Sequence, residues 1–160
     1  MTTFAADETI RTRIYLHPGH STVSVEPALV TTILGSCVSV CLWDDRLRIG
    51  GITHYLLPQP ISGAADPARF GSTAIRAIAA ELTGYGATKL VAKVFGGSTM
   101  NSALATTGRD LGSQNVAMAA EELQALGIPV TASDTGGPIG RKLIFQTDDG
   151  TAWVKFLERR

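Results

Sequence analysis

Three features of this 160-residue sequence predict a single α/β domain built on mixed sheets. Short β-branched and apolar runs predict strands, and two longer segments with apolar residues at helical spacing predict helices. The predicted order is three strands, a helix, a strand, a helix and three strands. Because several strands follow each other without a helix between them, they can form hairpins, which argues against a purely parallel doubly wound sheet.

The first half of the chain predicts three strands and one helix. β-branched and apolar runs place the strands, in chain order, at Ala28 to Leu34, Cys37 to Trp43 and Ile49 to Leu57. Apolar residues then recur at helical spacing from Gly71 to Thr83, and Gly84 is expected to end that helix.

The second half predicts a strand, a helix, a short strand and a closing hairpin. Ser113 is a plausible N-cap for a helix that begins at Gln114 or Asn115, and Gly127 follows its last residue, Leu126. The strands are expected at Lys89 to Phe95, around Val130, at Lys142 to Thr147 and at Thr151 to Leu157, with Asp148-Asp149-Gly150 as the last turn.

Composition and charge exclude several classes of function. The formal net charge is zero, so the sequence lacks the basic surface that nucleic acid binding needs, and it lacks a polybasic membrane anchor. No apolar run approaches the roughly 20 residues of a membrane-spanning helix. Met1 to Thr12 is polar and of mixed charge, unlike a signal peptide. We therefore expect a cytoplasmic protein without nucleic acid partners or membrane insertion.

The two cysteines, Cys37 and Cys41, are the first candidates for chemistry. On a strand their Cα atoms would lie about 13 Å apart, too far for a disulfide. No further ligands are suitably spaced for a metal site, so we expect neither a metal nor another cofactor. Burial in the core is the ordinary role of such cysteines, but a thiol beside a histidine can instead act as a nucleophile.

Among the histidines, His54 is the best candidate base. A hairpin with Asp45-Arg46 as a two-residue turn would place Cys37 directly opposite His54, on one face of the sheet. A slip by one residue, or a bulge at Gly50-Gly51, would change that register. The alternative role of His54 is that of a hydrogen-bonded core residue. His17 and His20 lie in a loop with Pro and Gly and are expected at the surface.

Residues before Cys37 offer two further elements of an active site. Gly35-Ser36 allows a tight turn whose N–H groups could stabilise an oxyanion, although an ordinary turn would look the same. Either Thr31 or Thr32 could orient the imidazole through its hydroxyl group, or both could simply fill a strand. The glycine-rich stretch 136–142 is not a phosphate-binding loop, because it lacks the required Gly-Lys-Ser/Thr ending.

Four segments of the sequence resemble the chemoreceptor glutamine deamidase family, CheD. The first contains Leu34-Gly35-Ser36-Cys37, and the second contains a glycine pair, a histidine and Leu57-Pro58 at a matching distance. The resemblance spans about residues 25 to 147, and its segments are 31–42, 50–58, 93–100 and 134–142.

This resemblance implies a site and a fold. By motif position the nucleophile would be Cys37, the base His54 and the third site residue Thr31, with Thr32 as its adjacent competitor. The family fold implies an α/β protein with a layered α/β/β/α sandwich of mixed sheets and outer helices, like the catalytic domain of deamidating toxins. We expect residues 1–160 to form one such deamidase domain.

The resemblance also implies a substrate and partners. The substrate would be glutamine side chains of methyl-accepting chemotaxis receptors, which become glutamate with release of ammonia. A CheC-type chemotaxis phosphatase is a possible partner. The alternatives are a regulatory binding module for such a phosphatase and a deamidase of a non-receptor protein. The glycine loops at 96–100 and 136–140 are candidates for the rim on which a protein substrate docks.

One departure from the family pattern concerns partner contacts. The family usually has an Ile-Gly-x-Arg-Asn type segment before the second helix, whereas this chain has Leu111-Gly112-Ser113-Gln114-Asn115. Gln114 replaces the expected arginine, so partner choice could differ while the assignment of Cys37 and His54 is unaffected.

Overall fold

A computed structural model describes residues 8–60, 66–99 and 109–158, which form nine strands and two helices. The strands are β1 Thr12–Tyr15, β2 Ser21–Ser24, β3 Ala28–Leu34, β4 Val38–Asp44, β5 Ile49–Thr53, β6 Leu90–Gly96, β7 Val130–Thr135, β8 Arg141–Gln146 and β9 Ala152–Phe156. The helices are α1 Gly71–Gly84 and α2 Leu111–Leu126, and a single 3₁₀ turn, Pro67–Arg69, precedes α1.

The strands form two mixed sheets, which confirms the predicted α/β class with mixed sheets. One sheet has four strands in the order β1-β3-β8-β9, and the other has five in the order β2-β5-β4-β6-β7. Each contains one parallel pair, β1 with β3 and β6 with β7, while the other neighbours are antiparallel.

Both helices pack on the same sheet, so the described residues form three layers, α/β/β. α1 contacts β2, β4 and β5, and α2 contacts β4 and β6. The predicted α/β/β/α order is therefore wrong in its fourth layer. The reason is connectivity: each helix links two strands of the five-stranded sheet, from β5 to β6 and from β6 to β7, and so packs back onto that sheet.

The five-stranded sheet is covered by apolar groups on both faces. Its helix-side core is built from residues such as Val40, Leu42 and Ile75. Its other face packs on the four-stranded sheet through an inter-sheet core that includes Val30, Leu34, Cys41, Trp43, Ile52, Phe95, Leu143 and Phe145. β4 is buried along its whole length, as expected for the central strand of a covered sheet.

The β4–β5 hairpin differs from the predicted register. Asp44 pairs with Ile49, so the loop has four residues and not the two of an Asp45-Arg46 turn. The Asp44 carboxylate fixes this loop by accepting hydrogen bonds from the N–H groups of Arg46 and Leu47, both at 3.0 Å. Because the register is shifted by two residues, every side chain stays on its predicted face.

The sequence missed the first two strands and the start of the second helix. β1 and β2 are only four residues long and lack a fully buried face, so they carry no clear alternation of apolar residues. α2 begins at Leu111 because Asp110, and not Ser113, is its N-cap and accepts the Ser113 N–H at 3.0 Å. Neither α1 nor α2 is long and apolar enough to cross a bilayer.

We predict that Gly50→Ala is strongly destabilising. A Cβ atom at Gly50 would collide with the backbone oxygen of Thr147 and lie 2.9 Å from the Leu42 oxygen, where the two sheets meet. Overpacking of this kind costs about 1–3 kcal/mol or more of unfolding free energy, which urea unfolding measures. Gly84→Ala is the matched control: its Cβ meets nothing within 4 Å, so we expect no loss of stability. Equal stability of the two variants would contradict this packing.

Candidate active site

Cys37 and His54 lie on the same face of the five-stranded sheet. Val38 and Tyr55 form a mutual backbone pair, with N···O distances of 3.3 and 3.1 Å, between the turn that carries Cys37 and the segment that carries His54. This register places Ser39 opposite His54 and Cys37 diagonal to it. Diagonal neighbours of an antiparallel pair lie about 7–8 Å apart, within reach of a long or aromatic side chain.

This face points toward the four-stranded sheet, and both side chains lie at the end of the five-stranded sheet where β4 begins and β5 ends. Cys37 is half-buried and packs against the inter-sheet core. His54 is 1% exposed and contacts Thr32 of β3. The described residues contain no direct Sγ–imidazole hydrogen bond, so proton transfer between the two groups would require the Cys37 or His54 side chain to move, and catalytic hydrogen bonds often form only when substrate binds.

Thr32, and not Thr31, contacts the imidazole. The Thr32 hydroxyl oxygen lies 2.7 Å from His54 Nδ1, and the side chain is fully buried. Burial alternates along β3, so Thr31 lies on the opposite face, away from the inter-sheet space. The contact with the imidazole is therefore made by Thr32, the competitor that the sequence left open, and a role for Thr31 as third site residue stays a prediction from motif position.

A second hydrogen bond fixes the tautomer of His54. The Thr32 hydroxyl donates its only proton to the carbonyl oxygen of Leu16, at 2.8 Å. Its oxygen must then accept from His54, so the imidazole carries its proton on Nδ1. The Nε2 atom is left unprotonated, and no described residue donates to it or accepts from it. In this tautomer the free lone pair of neutral His54 is at Nε2, the atom through which an imidazole could accept a proton.

Burial keeps both groups neutral in the resting site. It lowers the pKa of His54 from 6.5 to about 4. It raises the pKa of the Cys37 thiol above its ordinary value, and the opposing hydrogen bond from the residue's own backbone N–H is weaker. The resting pair is a neutral thiol beside a neutral imidazole, and not a thiolate–imidazolium ion pair. The thiol proton would therefore move as the sulfur attacks.

The loop between β1 and β2 holds the backbone of His54. The His54 N–H donates to the His20 carbonyl at 3.0 Å, and the His54 carbonyl accepts from the Gly19 N–H at 2.8 Å. The side chains of His17 and His20 are exposed, as predicted. Sequence reasoning missed the role of this loop, because its contribution comes from backbone groups, which the residue types do not encode.

In the turn before β4, Gly35 to Cys37, every carbonyl group accepts a hydrogen bond from a neighbouring segment. The Gly35, Ser36 and Cys37 carbonyls accept from the Ser98 N–H, Asn115 Nδ2 and the Gly97 N–H at 2.9, 3.0 and 2.9 Å. Within the described residues, the Ser36 N–H donates to no protein group, and the Cys37 N–H has only its own sulfur as a partner. N–H groups that donate to no protein oxygen can stabilise an oxyanion when they lie beside a reacting carbonyl group.

The loop after β6 lies against this turn and requires glycine. Gly96 has φ of 107°, and a Cβ atom there would collide with the Cys37 carbonyl oxygen. Arg141 holds the same loop, since its Nη1 donates to Ser98 Oγ at 2.9 Å, and its Nη2 donates at 2.8 Å to the oxygen of Gly136, in the loop after β7. The loop is thereby fixed against the backbone of Cys37.

The predicted docking rim is only partly at the surface. Gly96, Gly97 and Ser98 are buried, so they support the site from below, and Met100 lies outside the described residues. Gly137 and Pro138 are exposed and remain available to a partner.

Cys41 is a core residue, as predicted. It is fully buried between the sheets, and burial strongly raises the pKa of its thiol. No group of three or more His, Cys, Asp or Glu residues in the described ranges is arranged to hold a metal ion. Because Cys41 is fully buried and Cys37 only half-buried, Cys37 is the more accessible of the two thiols.

Comparisons with known proteins agree on one family. Residues 56–156 match the family model described as CheD chemotactic sensory transduction, a range that begins two residues after His54. The chain is 45% identical to a probable chemoreceptor glutamine deamidase CheD 1 from Anaeromyxobacter dehalogenans, over 92% of this chain and 86% of that protein. It is 37% identical to a probable chemoreceptor glutamine deamidase CheD from Sulfurimonas denitrificans, over 91% of this chain and 94% of that protein.

We predict that Thr32→Val destabilises the protein while Thr31→Val does not. Removal of the Thr32 hydroxyl leaves the Leu16 carbonyl and His54 Nδ1–H buried without partners. The cost is about 1–3 kcal/mol, measured by urea unfolding. Thr31→Val removes an outward-facing hydroxyl and should change the unfolding free energy by less than about 0.5 kcal/mol. A larger loss in Thr31→Val would contradict the placement of these two residues.

The lowered pKa of His54 predicts an acid-sensitive fold. Between pH 6.5 and about 4 the unfolded chain binds a proton at this residue and the folded chain does not. Unfolding therefore becomes easier as pH falls through this window, by up to about 3 kcal/mol in total. Unfolding free energies measured at pH 7 and pH 4 should show this loss in the wild type and a smaller loss in His54→Gln. His20→Gln, at an exposed histidine, should behave as the wild type; an unchanged loss in His54→Gln would contradict the assignment.

Proposed function

Because the chain belongs to the CheD family of chemotactic sensory transduction proteins, we propose that it deamidates glutamine side chains on methyl-accepting chemotaxis receptors. The products are glutamate and ammonia, so the protein is a protein-glutamine amidohydrolase. Its relatives are named as probable chemoreceptor glutamine deamidases, which supports the amide of a receptor glutamine as the substrate.

The observation that carries this proposal is the hydrogen-bond chain from Leu16 through Thr32 to His54. It leaves Nε2 unprotonated on the face of the sheet that also carries Cys37. Acyl transfer from an amide needs a nucleophile, a base that later acts as an acid, and donors for the oxyanion. Cys37, His54 and the N–H groups of the Gly35–Cys37 turn supply these three functions.

In the first half of the reaction Cys37 forms a thioester. Its Sγ attacks the carbonyl carbon of the glutamine side chain while His54 Nε2 accepts the thiol proton. The carbonyl oxygen becomes an oxyanion, stabilised by the Ser36 and Cys37 N–H groups. As the tetrahedral intermediate collapses, the carbon–nitrogen bond breaks and protonated His54 gives its proton to the leaving nitrogen, which departs as ammonia.

In the second half, water hydrolyses the thioester. His54, neutral again, removes a proton from a water molecule that attacks the same carbonyl carbon. The carbon–sulfur bond then breaks, Cys37 recovers its proton from His54, and the glutamate leaves. Each proton that His54 accepts is returned within the cycle, and the lowered pKa favours this return. We place the reaction in the cytoplasm, where the free Cys37 thiol stays reduced.

A groove between α2 and the segment that follows His54 gives a protein substrate room to dock. It has a volume of about 490 Å³, begins at Leu57, three residues after His54, and continues along α2 past Gln114 and Met118. The exposed Gln114 lines it, so replacement of the family's arginine by glutamine removes one positive charge from this groove. We propose that receptor segments carrying the target glutamine lie across this groove.

The direct test is incubation with the cytoplasmic part of a chemoreceptor, followed by mass spectrometry of receptor peptides and an ammonia assay. The wild type should convert specific glutamines to glutamate, and Cys37→Ala should abolish conversion. Cys41→Ala is the matched control, since it removes the buried thiol and should retain at least about half of the rate.

Two outcomes would contradict the proposal. Full activity of Cys37→Ala would exclude this residue as the nucleophile. Binding of the receptor, or of a CheC-type phosphatase, without deamidation by the wild type would instead support a regulatory binding module.

A further inference from the structure

Asn115 connects the segment that carries Cys37 to the segment that carries His54. It lies in the first turns of α2, a part of the chain that carries neither Cys37 nor His54, and its side chain is fully buried. Buried amides normally satisfy their donors and acceptors within the protein. The partners of Asn115 therefore show what the residue holds in place.

Its two amide protons bind two backbone carbonyl groups on separate segments. Asn115 Nδ2 donates to the Ser36 oxygen and to the Leu56 oxygen, both at 3.0 Å. Ser36 directly precedes the nucleophile, and Leu56 follows the base by two residues. Two donors on one nitrogen match two acceptors, so the amide connects the turn of Cys37 to the segment of His54.

A third hydrogen bond fixes the helix at the same point. The Tyr55 hydroxyl donates to the backbone oxygen of Asn115 at 2.5 Å, and the Tyr55 side chain is fully buried. Tyr55 directly follows His54. The three bonds at Asn115 thus reach Ser36, Tyr55 and Leu56, which are all within two residues of Cys37 or His54.

The other end of the amide is left without a partner. Asn115 Oδ1 is buried and accepts no hydrogen bond from any residue that the structure describes. An unpaired buried acceptor is unfavourable for stability. An apolar side chain at this position would avoid the cost of the unpaired oxygen. The amide is therefore explained by the two hydrogen bonds that it donates to Ser36 and Leu56.

We propose that Asn115 is a positioning residue that sets the separation and orientation of Cys37 and His54. The inference rests on the proposed function for its kinetic test. The amide limits how far the two segments can move apart, and catalysis depends on that separation, since misplacement by about 1 Å can cost about 100-fold in rate. Substrate binding does not involve Asn115, because the residue is buried below the site.

The kinetic test compares Asn115→Ala and Asn115→Asp with the wild type. Asn115→Asp keeps the size of the side chain but loses the two-proton donor. We expect kcat to fall about 10–100-fold in both variants, with KM changed less than about threefold. Retention of wild-type kcat in Asn115→Asp would overturn the proposal, as would a loss confined to KM.

Two matched controls separate positioning from general destabilisation. Leu123→Ala removes a fully buried side chain two turns further along α2, where it touches the helix-side core and not the site. Gln124→Ala removes an exposed amide from α2 at a position that does not line the docking groove. Both should keep kcat within about threefold of the wild type while thermal unfolding reports their stability. A loss in Leu123→Ala as large as in Asn115→Ala would overturn the proposal.

A second readout does not require any receptor activity. NMR titration of the histidine ring resonances, with His54→Gln used to assign His54, measures the pKa of the imidazole. In Asn115→Ala the released segment admits water, so the pKa of His54 should rise from about 4 toward 6.5, while Leu123→Ala leaves it unchanged. An unchanged pKa in Asn115→Ala would overturn the proposal even if the wild type proves to have no deamidase activity, so the two claims fail separately.

Discussion

The structure of the site depends on one buried hydrogen-bond chain, from His54 Nδ1–H to the Thr32 hydroxyl and on to the Leu16 carbonyl. A carbonyl oxygen can only accept, and a hydroxyl group has only one proton, so the direction of both bonds is fixed. The tautomer of the imidazole follows from that direction. Each of the three residues comes from a different segment, and the base is therefore formed only when the two sheets have packed together.

The burial that fixes the tautomer also sets the protonation states. In water an imidazole and a thiol would titrate near their ordinary values, but here the pKa of His54 is lowered to about 4 and that of Cys37 is raised. An ion pair is therefore disfavoured before substrate arrives. In the proposed mechanism, the sulfur becomes nucleophilic only when a carbonyl group lies close enough for attack and proton removal to occur together. A neutral thiol of this kind reacts little with unrelated electrophiles before a substrate binds.

The sequence predicted the strands and helices whose local signals are strong. β3 was placed at Ala28–Leu34, and α1 was predicted to within a residue of its last residue, because β-branched runs and helical spacing report burial directly. The mixed sheets followed from the order of elements. The layer order could not be derived in this way, since which sheet a helix covers depends on long-range strand order.

The candidate site was predicted in part, for reasons that lie in the packing. Cys37 and His54 were brought to one face because a register error of two residues preserves the side of the sheet. The choice between Thr31 and Thr32 required the inward face of β3, which only its partner strands define. Asn115 was missed because its importance comes from two carbonyl groups distant in sequence, and residue type gives no signal of such contacts.

The most direct test of this account is ¹⁵N NMR of the His54 ring in the wild-type protein at neutral pH. The account predicts a neutral imidazole with the proton on Nδ1 and an unprotonated Nε2, as the Thr32 hydrogen bonds require. A proton on Nε2 would leave no lone pair there to accept the Cys37 proton, and a charged ring at pH 7 would contradict the neutral resting pair; either result would contradict the proposed mechanism.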